Sequence, residues 1–444
     1  MSIIRLRDFG DRVRATYWYL PTLMTALAAV CAVLLYWADQ AIPSYLLQDK
    51  WYIFHPESLI EARSLLTNIA NVSLGVVGVV FSVTLVPMSI AASQYGSIVL
   101  RSFLRDRGTQ CVLGAYTSTT FYCLTLLMAL RSATNQSGAQ FSLTIAVSML
   151  LVSLLLLLYF FHHVADSLQA SSVINQISEE LERTIEQENP VSSAHTLDPR
   201  QGEVDELRRT VLREGEGVPS NGEGYVRAID FNYLVDVATK SQVILYLKCL
   251  AGDFVSRGDQ LLFVWPALSD KHLISSTNRA YMLGRNRTLF QDPEYGITLV
   301  TMIAVRALSS AINDPYTPML CLDRLGAALG MIAERATPRT YYLDTENHLR
   351  VITKPTSFER LVDTAFNMIR EYGRANAEVL MKMLETAKTV AAHTHSDAQQ
   401  KVLLKHITLI EGDSRIGLGS EYDKQRVHDT YEETLRAVRP NPEP

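Results

Sequence analysis

Apolar positions crowd the first third of the chain into four long runs, then thin into short periodic stretches. The runs cover Trp18 to Trp37, Ile69 to Ser93, Gln110 to Leu130 and Phe141 to Phe161. Each reaches the roughly 20 residues that a helix needs to cross a hydrocarbon core. So bounded, none of them contains Asp, Glu, Lys, Arg or His. The pattern predicts an N-terminal segment over 1–17, four transmembrane helices over 18–163, and a helical exit over 164–187 that continues through Val164, Leu168, Val173, Ile177 and Leu181.

From 188 to 223 the chain turns polar and rich in Gly, Pro and Ser, which predicts a linker with one short helix around Val204 to Leu212. The period then changes. GYVRAIDFNYLVDVA and VILYLKCLAGDFVSRGDQLLFVWP are β-branched and aromatic runs split by a Gly-Asp turn, predicting a small β-hairpin or barrel-like module over 224–275. A helical region over 276–438 follows, interrupted by a hairpin at TYYLDTENHLRVI, and 439–444 form a tail. Its helices are expected at Ile297 to Ile312, after a capping box at Thr356 to Glu359, and over Asn376 to Ala391, Ala398 to Ile410 and Glu421 to Val438. The fold class expected is an α-helical integral membrane domain followed by a cytoplasmic α+β domain.

Composition agrees with that division. The 444 residues are 48% hydrophobic and only 20% charged, too apolar for an ordinary soluble chain of this length. A net charge of −5 and the lack of a basic block with interleaved aromatics exclude nucleic acid as a partner. The five cysteines, Cys31, Cys111, Cys123, Cys249 and Cys321, form no CxxC pair, so neither a disulfide framework nor a zinc site is indicated. Arg5, Arg7, Arg12 and Arg14 precede a first run too long for a cleaved signal peptide, which reads as a retained anchor.

Charge also orients the helices, because Lys and Arg stay on the cytoplasmic side. The N-terminal arginines and Arg101, Arg105 and Arg107 mark one side; Lys50, Arg63 and Arg131 leave the other side poorer. Both termini are therefore expected in the cytoplasm of a bacterial inner membrane. Tyr45, Trp51, Tyr52 and Phe54 of the outward loop suit the headgroup layer.

Several blocks carry a resemblance: FSVTLVPMSIAASQYGSIVLRSFLRDRGTQCVLG, FHHVADSLQ, GYVRAID, LAGDFVSRGDQLLFV and AINDPYTPMLCLDRL. In this order, over roughly 60 to 330, they resemble a bacterial family of predicted membrane proteins catalogued as domain of unknown function 2254. The resemblance implies the membrane class and carries no activity.

Candidate chemistry is sparse. Gly75, Gly78, Ser82, Ser89 and Ser93 recur at helical spacing in the second run, as small residues do where membrane helices pack closely. The alternative is that this face, with a carbonyl freed near Pro87, lines a water-filled path. Arg101, Arg105 and Arg107 suit lipid headgroups or a pore mouth. His162, His163 and Asp166 mark the exit of the fourth helix; His162 and Asp166, at i, i+4 spacing, suit metal binding or a pH-sensitive pair, but no third ligand is near, so they read as markers of the interface, and a similar discount applies to His393, His395 and Asp397. In AINDPYTPMLCLDRL, Asn313, Asp314 and Pro315 end one helix and Thr317-Pro318 restarts another, or the segment is a hinge or subunit contact. LAGDFVSRGDQLLFV is similar to the hairpin of biotinyl and lipoyl carriers, but Phe263 to Pro266 follow where a carrier lysine belongs and the next lysine is Lys271, which leaves a structural β-module.

No P-loop, HExxH or GxSxG is present, so no enzyme, cofactor or metal is expected. The expected function is a passive ion channel built as a homo-oligomer in the lipid bilayer, with ions as its cargo and the cytoplasmic domain as gate or vestibule. The alternative is a membrane-anchored scaffold or sensor. Uncharged spans argue against a proton-coupled pump and against a lipid or small-molecule transporter.

Overall fold

The computed structural model describes residues 17–41, 59–95, 106–131, 140–167, 169–188, 201–267, 270–335, 340–354 and 356–439. The N-terminal arginines, the outward-loop aromatics, Arg101, Arg105, Leu168, residues 189–200 of the expected linker and the last residues of the tail lie outside the described residues. The chain divides into two units, Met1–Ser172 and Val173–Pro444.

The first unit holds α1 (Tyr19–Ala41), α2 (Leu59–Tyr95), α3 (Arg107–Leu130) and α4 (Gln140–Ser167). Each includes a stretch long and apolar enough to cross a membrane. One expected boundary moves: α2 begins at Leu59, ten residues before Ile69, because Ala62, Leu66, Ile69 and Ala70 continue one buried face past Glu61 and Arg63. The expectation of uncharged spans holds only for the narrower bounds: the helices also carry Asp39 in α1, Glu61 and Arg63 in α2 and Arg107 at the start of α3.

Helix α3 is the enclosed one. Its span is 56% buried, against 17%, 22% and 22% for the other three, so they pack around it. Ala28 and Ala32 of α1, Leu66 and Ile69 of α2, Tyr122 and Leu126 of α3 and Leu143 and Ala146 of α4 share one core. Small residues on α3 permit this. A Cβ on Gly114 would lie 2.5 Å from Met24 Sδ and 3.3 Å from Pro21 Cα, so α1 crosses there at close range. Hydroxyl pairs join the crossings: Thr25 Oγ1 donates to Thr117 Oγ1 at 3.0 Å, and Thr119 Oγ1 meets Ser153 Oγ at 3.2 Å.

The boundary between the units falls within the first turn of the amphipathic α5 (Ala170–Glu188), which buries Val173, Ile174, Ile177, Leu181 and Ile185. The stretch expected as linker carries structure instead. There α6 (Gln201–Glu214) buries Val204 and Val211 against Tyr246, Leu349 and Ile352, and β1 (Glu216–Pro219) pairs with β5 (Gln260–Trp265). Four residues reading EGVP give no strand pattern of their own; the partner strand supplies it.

After β2 (Gly224–Ile229) comes a second correction. FNYLVDVA, read with the strands, is α7 (Phe231–Ser241): Asp230 caps it by accepting from Tyr233 N, and Leu234 and Ala238 are buried one turn apart. Then follow β3 (Ile244–Leu247), β4 (Phe254–Val255) and β5, α8 (Lys271–Ala280) and β6 (Tyr281–Gly284). The hairpin TYYLDTENHLRVI forms as expected, giving β7 (Tyr341–Leu343) and β8 (Leu349–Ile352).

The strands lie in two sheets, ordered β1-β5-β3-β8-β7 and β4-β2-β6. VSRGD therefore turns from one sheet into the other and does not join a hairpin pair, and the β module draws strands from well outside 224–275. Of the pairings, β3 with β8 is parallel and the rest are antiparallel.

The remaining helices are α9 (Pro293–Ala307), α10 (Tyr316–Glu334), α11 (Phe358–Gly373), α12 (Ala377–Ala391), α13 (Asp397–Gly417) and α14 (Glu421–Val438). Caps by Asn376, Ser396 and Ser420 set the starts of the last three. The capping box expected at Thr356 does not form. Ser357 is the N-cap without a side-chain bond, and Glu359 reaches Lys405 at 2.9 Å instead of the backbone.

Candidate functional site

The small residues of α2 face away from the other three helices. Gly75, Gly78, Ser82 and Ser89 are exposed, and a Cβ on either glycine would meet nothing within 4 Å. Packing within the four-helix unit is thus not their role; α3 carries that role. The Ser93 side chain lies outside the description.

The same face extends further than the sequence reading took it. Ser64, Thr67, Asn68 and Asn71 are exposed at the same helical spacing. Thr67 returns its hydroxyl to Arg63 O at 2.7 Å and Ser82 to Gly78 O at 2.9 Å. An amide that returns one N–H to the helix in this way still has a second N–H and a carbonyl oxygen to satisfy, and leaving such a group unsatisfied in an apolar medium costs on the order of 2–7 kcal/mol. Asn68 and Asn71 therefore call for an amide-compatible neighbour or water. The sequence signal was available in the spacing 64, 68, 71, 75, 78, 82, but a search for ionisable groups passes over Asn.

At one end of the unit, Asp106 caps α3. Its carboxylate accepts from Gly108 N at 3.2 Å, Thr109 N at 2.9 Å and Thr109 Oγ1 at 2.5 Å, and its Oδ1 lies 2.8 Å from His163 Nε2. Burial opposes its ionisation; the Thr109 donors and His163 outweigh that and hold the carboxyl below its ordinary value. Tyr159 stacks on the imidazole at 5.4 Å. Gly108 is required, since a Cβ there would lie 2.6 Å from His163 Nε2. The sequence paired His162 with Asp166, which do meet at 3.4 Å but are both exposed. Arg107, the described member of the arginine trio, is exposed at the start of α3. Among the described residues no cluster of His, Cys, Asp and Glu is arranged to hold a metal ion.

At the other end, Asp39 of α1 caps α4 across 103 residues. It is 3% exposed and accepts from Ser142 N at 2.9 Å and Ser142 Oγ at 2.5 Å. Tyr122 OH donates to Ser142 O at 3.0 Å, and Arg63 Nη2 donates to Leu130 O at 2.7 Å.

In the second unit, the Asn313-Asp314-Pro315 segment is a helix break, but its cap is not the expected Thr317. Helix α9 has already ended at Ala307; Asn313 adopts φ 50° and its N–H reaches Ser309 O at 2.8 Å. Asp314 then accepts from Tyr316 N at 2.9 Å and Thr317 Oγ1 at 2.5 Å, starting α10. Ile312, Tyr316 and Leu320 remain exposed around this turn.

The two glycines of LAGDFVSRGDQ both hold positive φ, 92° at Gly252 and 93° at Gly258. Gly252 lies against Asp292, which caps α9 through Tyr295 N at 3.0 Å and accepts both Arg287 Nε and Nη2. Burial pushes the Asp292 carboxyl up to about 6 against the pull of Arg287. Lys271, the next lysine after that hairpin, opens α8 and is not part of the Ser256–Asp259 turn.

Comparison with known proteins agrees with this architecture at the level of class. The model of a family described as predicted membrane protein (DUF2254) matches residues 14–389. Uncharacterized proteins of Mycobacterium tuberculosis and of Mycobacterium bovis are each 27% identical over 434 residues, covering 95% of this chain and 81% of theirs. No solved structure matches. The chain belongs to the DUF2254 family of predicted membrane proteins.

Proposed function

We propose that this member of a predicted membrane protein family assembles as a homo-oligomer in a bacterial inner membrane and conducts ions passively along the outward face of α2. The observation that carries the reading is the stripe of Asn68, Asn71, Gly75, Gly78, Ser82 and Ser89 on the exposed side of an otherwise apolar helix. Facing lipid, its two amides are unfavourable; facing an axis shared by several copies, they meet water and one another. Four spans are too few for one subunit to enclose a wide path, so a ring of subunits is the arrangement that supplies it.

The charge bias of the loops supports cytoplasmic termini, with Arg101, Arg105 and Arg107 at the inner mouth or the headgroups. The second unit is then the vestibule or gate, and the turn at Asn313, Asp314 and Pro315, with exposed Ile312, Tyr316 and Leu320 beside it, is a subunit contact or hinge. A proton-coupled cycle is disfavoured on a revised ground. Asp39, the buried acid within a span, has its carboxylate committed to the start of α4.

The test is single-channel recording from the purified protein in planar bilayers under asymmetric salt. Unitary currents that are lost or reduced several-fold in Asn71→Leu and Ser82→Leu support the reading. Unchanged conductance in both variants refutes α2 as the lining. Silence of the wild type, with insertion verified by protease protection, shifts the reading to the anchored scaffold, which the apolar turn around Tyr316 favours.

A further inference from the structure

In the second unit, one imidazole is enclosed with half of its polar atoms unanswered. His406 on α13 is 0% exposed. Its Nε2 lies 2.9 Å from Asp363 Oδ1 on α11, its ring meets Phe366 edge to face at 5.6 Å, and its Nδ1 has no hydrogen-bond partner. Two cations flank it. Lys405 Nζ stands 3.5 Å from the same Asp363 oxygen and 2.9 Å from Glu359 Oε1, and Arg370 of α11 pairs with Asp413 of α13. Of the charged groups on α12 and α14, Arg426 pairs with Glu378, Lys388 with Glu433, His428 with Glu411 and Lys382 with Asp323 of α10.

The tautomer that fits has the proton on Nε2, donated to Asp363, and a bare lone pair on Nδ1. A second proton would create a buried N–H with no acceptor, near two positive charges, with one carboxylate already shared with Lys405.

We infer that the His406–Asp363 contact is an acid-released joint: protonation of His406 loosens α11 from α13, making the helical layer of the second unit responsive to acidification of its compartment. The inference does not depend on ion conduction. Its sign follows from linkage. Burial, aided by Lys405 and Arg370 and opposed by Asp363, holds the imidazole below its ordinary value of 6.5. The folded state therefore refuses a proton that the unfolded chain accepts. The joint's contribution is complete above about pH 6.5 and is lost as pH falls below it, by up to roughly tenfold in the closed-to-open ratio per pH unit.

Global melting does not isolate this effect, because the raised Asp292 carboxyl works in the opposite direction over an overlapping range. Local readouts do. Amide hydrogen exchange on the full-length protein in detergent, corrected for the intrinsic rate, should show α11 and α13 peptides losing protection severalfold between pH 7.5 and 5.5. His406→Gln, which keeps a donor for Asp363 and cannot charge, should abolish that loss. Equal protection at both pH values in the wild type, or an undiminished acid loss in His406→Gln, overturns the inference. If the variant does not fold, deuterium exchange at the imidazole C2 of wild-type His406 decides. A midpoint below that of the same histidine in the denatured chain supports the joint, and a midpoint at or above it overturns the joint.

Discussion

Replacing Gly252 and Gly258 by alanine, one at a time, separates backbone strain from steric conflict within one short turn. Both hold φ near 90°, so each substitution costs about 1–2 kcal/mol for forcing a Cβ into that region. Around Gly258 a Cβ meets nothing within 4 Å, and the strain is the whole effect. At Gly252 the new carbon would lie 2.3 Å from Asp292 Oδ2, 2.8 Å from its Cγ and 2.7 Å from Arg287 Nη2. Asp292 cannot swing aside freely. Its side chain is 4% exposed, it caps α9 and it is bound twice by Arg287. Moving it forfeits a cap worth about 1 kcal/mol and charge-assisted bonds worth about 1.5–3 kcal/mol. Gly252→Ala should therefore exceed Gly258→Ala by about 2–4 kcal/mol, or roughly 4–16 °C in melting temperature for a unit of this size. The assay is thermal unfolding of the full-length protein in detergent, followed by Trp265, the one tryptophan of the second unit. Equal shifts for the two variants, or a smaller one at Gly252, would refute the claim that this glycine exists for the close approach to Asp292.

Asp39→Ala should destabilise the first unit by about 1–3 kcal/mol, since it removes a cap and strands the Ser142 N–H; Asp39→Asn, which keeps an acceptor, should recover part of that loss in the same melting assay. Gly114→Leu should lower the melting temperature of the first unit by overpacking the α1 crossing, at a cost of about 1–3 kcal/mol. Gly75→Leu should leave it within error yet shift the protein to smaller species in light scattering, and a large drop in melting temperature at Gly75 would place that face inside the unit after all.

What the sequence made legible follows from how many constraints act on each position. The hydrocarbon demands uninterrupted apolar length, and four runs of that length identified α1 to α4. Their ends were less legible. Glu61 and Arg63 break the apolar run, while the helix, whose backbone groups must be satisfied internally, continues through them to Leu59. Side chains that cap their own helix, such as Asn376 and Ser420, put α12 and α14 within a residue of expectation. Helix α7 was misread because Phe231, Tyr233, Val235 and Val237 are strand formers by type, and only the cap at Asp230 contradicts them. The candidate face on α2 was legible as a pattern but not as a direction. Glycine and serine suit a helix crossing and an open face equally, and the choice depends on where α3 lies. Contacts such as Asp106 with His163 and Asp363 with His406 join residues dozens of positions apart, at spacings that no local pattern encodes.

The parallel pairing of β3 with β8 has a consequence for how the protein is made. Leu245 is registered with Val351, so the central strand waits for a partner that lies 106 positions later (351 minus 245). At roughly 5–20 residues per second, synthesis leaves that interval at roughly 5–20 s. During it β5 can cover one side of β3, while the other side is an open edge of unpaired amides and carbonyls, the kind of template that recruits neighbouring chains. The four apolar helices precede this stage in the chain, so the ribosome is already held beside the bilayer when the edge emerges. Contact order of this kind slows folding, which makes the second half of the protein the step at which expression at high rate, or a slowed ribosome between residues 247 and 349, should first produce aggregates.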